Sequence, residues 1–137
     1  MILGAEEQFR VGVPEPGAEN FLLSSVAATN EFQVMFEDDG TTGYLYALRE
    51  AAELVLLDAL HIYNVADVTD RETPVTAQIF WDEAQTTAVL LVGGYCHALY
   101  DFQRQVGFCR TAFPPAKNGQ PGSRELTDEL VEKYFAA

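Results

Sequence analysis

From Glu31 onward the chain alternates apolar and polar residues with a period of two, interrupted at short intervals by turn chemistry. Phe32, Val34 and Phe36 share one side of a predicted strand over Phe32–Glu37, and aromatics resume at Tyr44 and Tyr46 in a partner strand, Tyr44–Leu48. Between them Asp39-Gly40 offers the positive-φ positions of a tight reversal, so the stretch reads as a β-hairpin. Val75–Trp81, Thr86–Val92 and Tyr95–Phe102 follow as three more strands, joined by Asp82–Gln85 and by the two-residue signal Gly93-Gly94. Strands this close, linked this tightly, predict an antiparallel meander.

Two segments read less simply. Arg49 to Leu54 are good helix formers, with Arg49 and Glu53 four apart. The apolar residues of Leu54–Val65, however, would surround a helix on all sides, which suits a strand buried on both faces. A long strand from about Leu54 is expected, preceded by at most one helical turn. Residues 1–30 form an ill-defined N-terminal segment, with an edge strand over Glu7–Val13 ended by Pro14 and Pro16, and a short strand or turn at Phe21-Leu22-Leu23. Beyond Phe113-Pro114-Pro115 a loop over 117–123 leads into Leu126, Leu130, Val131, Tyr134 and Phe135, one face of an amphipathic helix over 124–136 capped by Ser123 or Thr127. The predicted fold is α+β in a single domain: a mainly antiparallel, curled sheet over 31–112 with a C-terminal helix packed on it.

Charge narrows the function classes. Eight Lys and Arg against 21 Asp and Glu leave a formal net charge of −13. Such a field repels phosphate backbones and anionic lipid, and favours a basic protein, a cationic ligand or simple solubility. No stretch approaches the roughly 20 apolar residues of a membrane span, and the N-terminus has no signal-peptide pattern. A cytoplasmic protein is expected, with Cys96 and Cys109 as free thiols.

Catalytic patterns are missing. There is no nucleophile elbow around Ser24, Ser25 or Ser123, no phosphate-loop pattern after Gly93-Gly94, and no base beside Cys109. No cofactor is implied, and nothing argues for an enzyme. The acidic run Glu37-Asp38-Asp39 lacks the spacing of a calcium loop and reads as a solvated turn. His97 and Asp101 share a strand face but stand about 13 Å apart. Asp58 and His61 fall on opposite faces of a strand, or pair three apart on a helix. The alternative reading is a small-molecule or metal site inside the curled sheet, using His61, His97, Asp58 and Asp101, with His61, His97 and Asp58 as the metal ligands on weak spacing. The leading reading is a binding surface. Tyr44 and Tyr46 beside Glu37, Asp38, Asp39 and Asp101 suit contact with a basic protein. A third reading is a subunit that forms a homodimer through a sheet edge or aromatic face.

Four segments carry a resemblance: Phe36-Glu37-Asp38-Asp39-Gly40 continuing through Gly43-Tyr44 to Tyr46-Ala47, Asp58–Val65, Gly94-Tyr95 through His97-Ala98 to Asp101-Phe102, and Gly107–Arg110 with Phe113-Pro114. Together they resemble a family of small bacterial proteins of unknown function. Similar small acidic proteins sit among the immunity proteins of bacterial toxin systems, so the resemblance implies a toxin-neutralising binding protein and no catalytic residues. The family pattern carries a proline where this chain has Cys96, and a tryptophan after the Phe-Pro segment that this chain lacks.

Overall fold

The computed structural model describes residues 1–13, 19–115 and 124–135. The predicted antiparallel architecture is present, but as two sheets facing each other across one core in place of one curled sheet over 31–112, and residues before Glu31 supply a strand to each. The first is a four-stranded meander in chain order: β2 (Phe21–Val26), β3 (Phe32–Asp38), β4 (Thr42–Glu50) and β5 (Leu54–Asn64). The second has the order β1-β6-β7-β8-β9, from β1 (Ile2–Phe9), β6 (Val75–Trp81), β7 (Thr87–Val92), β8 (Tyr95–Asp101) and β9 (Val106–Cys109). Helix α1 (Asp128–Phe135) lies on the outside of this second sheet.

Inward-facing residues follow from the period of two. Val34 and Phe36, Leu45 and Ala47, Leu60 and Ile62 on one sheet meet Ala77, Ile79, Trp81, Ala88, Leu90 and Tyr100 on the other. Phe32 stacks on Phe102 across the gap, with ring centroids 4.3 Å apart. The indole N–H of Trp81 donates to Ser25 Oγ at 2.8 Å, so the buried ring brings its one donor to a partner.

Both tight hairpins form, with one difference in detail. Gly93 and Gly94 are both at positive φ, 62° and 79°, as a two-residue reversal requires. In the acidic turn only Gly40 has positive φ, at 90°. Asp39 instead accepts the backbone N–H groups of Thr41 and Thr42 on Oδ1, at 2.9 and 2.8 Å, so its side chain builds the turn.

The long strand expected from about Leu54 is β5, which ends at Asn64, and β4 runs on to Glu50 before a bend at 51–53 in place of any helical turn. The N-terminal strand spans Ile2–Phe9 and is longer and earlier than Glu7–Val13. Helix α1 begins at Asp128, and Thr127 Oγ1 accepts the Leu130 N–H at 3.1 Å, which makes Thr127 its cap. Pro14, Pro16, the 117–123 loop, Ser123 as a cap and the last helix position, Ala136, lie outside the described residues.

Candidate binding face

The two sheets differ in what covers their outer sides. On the five-stranded sheet, Val89 and Leu99 are sealed by Leu126, Leu130, Val131, Tyr134 and Phe135 from the α1 segment. Arg110 anchors that cover. Its guanidinium sits 4.5 Å from the centroid of the Tyr95 ring, donates from Nε to Cys96 O at 2.9 Å and from Nη1 to Leu126 O at 3.1 Å, and pairs with Asp128 at 2.9 Å.

Nothing among the described residues plays that part on the four-stranded sheet. Its strand register sets outward-facing residues in three cross-strand rows. Leu22, Glu37, Tyr44 and His61 make the first, Ser24, Met35, Tyr46 and Ala59 the second, and Val26, Gln33, Leu48 and Leu56 the third. Leu22, Val26 and Leu56 are each about half exposed. The aromatic rings form a strip: Tyr46 and Tyr44 are near-parallel with centroids 6.1 Å apart, His61 meets Tyr44 edge-on at 5.3 Å, and the exposed Phe113 meets His61 at 6.0 Å.

Glu37 is the acid of this strip. Tyr46 Oη donates to its Oε1 at 2.9 Å, and Asn20 Nδ2 donates to its Oε2. Partial burial, then that hydrogen bond and the carboxylate charge, push the Tyr46 phenol up to about 12. The ring therefore remains a neutral donor at every physiological pH. Asp39 lies at the hairpin tip, with its carboxyl held below its ordinary value by the Thr42 and Thr41 N–H groups.

Asp38 and Asp101 are placed differently. Asp38 is 2% exposed and accepts three hydrogen bonds, from Gly12 N at 2.7 Å, Gly40 N at 2.8 Å and Tyr63 Oη at 2.6 Å. It is not presented at the surface, where contact with a partner was expected, because strand alternation turns it inward beside Val34 and Phe36. Asp101 is likewise buried and accepts from Tyr134 Oη at 2.9 Å and Arg104 N at 3.1 Å, holding the end of α1. Glu37, Asp39, Tyr44 and Tyr46 are the expected contact residues that remain at the surface.

The residues of the metal reading each have other surroundings. Asp58 is paired with the buried Arg124 at 2.8 Å. His61 Nε2 lies 3.0 Å from Asn64 Oδ1 on the open face. His97 is pulled down to about 4 by burial and by the Arg110 charge, and that same charge opposes a second cation. Among the described residues no group of three or more His, Cys, Asp or Glu is placed to hold a metal ion. The two cysteines are unpaired.

Sequence reasoning missed His61 and Phe113 as members of the aromatic strip. The signal for His61 was its place beside Tyr44 in a β4–β5 pairing, which could not be read before the register was known. Residues 15–135 match the family described as "Uncharacterized protein conserved in bacteria (DUF2251)". The chain belongs to this family. A relative from Haemophilus influenzae, called "Uncharacterized protein", is 41% identical over 107 residues, which cover 76% of this chain and 66% of the relative. The chain thus spans just under two thirds of that relative's length. No solved structure matches the chain. No helix among the described residues is long and apolar enough to cross a membrane.

Proposed function

We propose that this protein is a non-enzymatic binding protein that holds a basic protein partner on the open face of its four-stranded sheet. The observation that carries the reading is the asymmetry of cover. One sheet has α1 packed over Val89 and Leu99 on its outer side, while the other leaves Leu22, Val26, Met35, Tyr44, Tyr46 and Leu56 facing outward around Glu37. A contiguous apolar and aromatic face of this kind is an interaction surface more often than an idle one. The formal charge of −13 selects a partner of opposite sign and speeds its approach. A toxin-neutralising, immunity-type role is the form of this reading that the sequence resemblance favours.

The test is retention of basic proteins from a bacterial lysate on immobilised wild type, Met35→Lys and Glu132→Gln, at low and high salt. Met35→Lys puts a cation in the middle of the face, whereas Glu132→Gln makes the same change in net charge on the exposed side of α1. The expected result is a basic protein held by wild type and Glu132→Gln, released by salt, and lost on Met35→Lys. Equal retention on all three, or none on any, would overturn the reading.

A further inference from the structure

We infer that the strip Tyr46–Tyr44–His61–Phe113 is a seat for an arginine side chain presented by that basic partner. The inference rests on the open face being the binding surface and adds which cation it takes. The molecule itself supplies the pattern. On its covered sheet, the arginine that holds the cover lies 4.5 Å over a tyrosine ring, with an exposed carboxylate also within 2.9 Å of its guanidinium. The open face repeats two of those three parts, since Tyr44 lies directly across the β3–β4 ladder from Glu37. The third part is absent. Among the described residues Arg110 is the one cation placed over a ring, and neither ion pair uses Glu37.

Guanidinium suits this site better than ammonium. It is planar, more weakly hydrated, and can lie on an aromatic face while donating sideways to a carboxylate. Tyr46 Oη and Asn20 Nδ2 fix Glu37 from its two oxygens, so the acceptor is oriented before any partner arrives. Each carboxylate oxygen keeps a further lone pair for an incoming donor. His61 and Phe113 extend the ring surface toward the β5 edge, where the Phe113 carbonyl accepts the His61 N–H at 2.9 Å and holds the two rings together.

The experiment compares hexa-arginine with hexa-lysine, equal in length and charge, by fluorescence anisotropy at one ionic strength. Wild type, Tyr44→Leu and Met35→Lys are measured alongside ring-proton NMR shifts of Tyr44 and His61 in wild type. The expected result is an arginine preference on the order of 3- to 5-fold in wild type, reduced toward parity in Tyr44→Leu because the arginine peptide loses more affinity than the lysine peptide. The Tyr44 and His61 ring protons should move with the arginine peptide only. Equal affinity for both peptides, or a preference that Tyr44→Leu leaves intact, would overturn the arginine seat. If both peptides bind equally and both are lost on Met35→Lys, the broader basic-partner reading stands without the seat. If neither peptide binds, both readings fail.

Discussion

Asp38 shows how one side chain can organise the end of a sheet. A carboxylate 2% exposed is tolerable only when its acceptor capacity is filled, and here three donors from three separate segments converge on it. Asp38→Ala would strand all three, and a loss of about 3 kcal/mol in urea unfolding is expected, against about 1 kcal/mol for Tyr63→Phe, which removes one donor and leaves the others in place. His97 sets a pH dependence of definite sign. Its folded value is about 4 against an ordinary 6.5, so as pH falls the unfolded chain takes up this proton first. Stability contributed by the neutral ring is full above pH 6.5 and drains away down to pH 4. Unfolding measured at pH 7 and pH 5 should show His97→Gln losing less than wild type over that interval. Asp39 acts lower on the scale. Its depressed value means that its contribution is full above the ordinary 3.8 and is lost only as pH drops further.

At the scale of elements, β5 explains why part of the sequence resisted reading. The β4–β5 ladder shifts register twice, between Gly43 and Tyr44 and between Ala47 and Leu48, and each shift skips one β5 residue. Ile62 and Tyr63 can then both face the core, as can Leu57 and Asp58, so no strict alternation survives in the sequence. The hairpins at Asp39-Gly40 and Gly93-Gly94 were legible because their turn chemistry is local. β1 was only partly legible because it is an edge strand with most side chains exposed, and its partner β6 is distant in the chain. The site divided in the same way. Tyr44, Tyr46 and Glu37 lie on two strands joined by one turn, whereas His61 and Phe113 arrive from elsewhere. Gly43 has a role that register alone reveals. A Cβ there would come within 2.7 Å of the Tyr63 ring, whose far end is tied to Asp38. Gly43→Ala is therefore expected to cost about 1–3 kcal/mol by overpacking, and Asp38→Ala combined with it should cost less than the two losses added.

At the scale of the whole molecule, the covered and open outer faces make separate predictions. Asp128 is well exposed, so its pairing with Arg110 contributes little, and the guanidinium acts mainly through the carbonyls of Cys96 and Leu126 and the Tyr95 ring. Arg110→Ala should loosen α1 from the sheet, seen as amide exchange in 128–135 faster by about an order of magnitude while the strand amides keep their protection. The way the sheets are strung has a consequence for synthesis. β2 to β5 pair in chain order, so that meander can close as soon as it leaves the ribosome. β1 comes out before them, yet its place is opposite β6, with Ile2 against Trp81 and Phe9 against Val75. A nascent chain must therefore carry β1 without its mate until β6 has been made. The glutamates at positions 6 and 7 of that strand give neighbouring nascent chains on one polysome a reason to repel each other where bare edges would otherwise join.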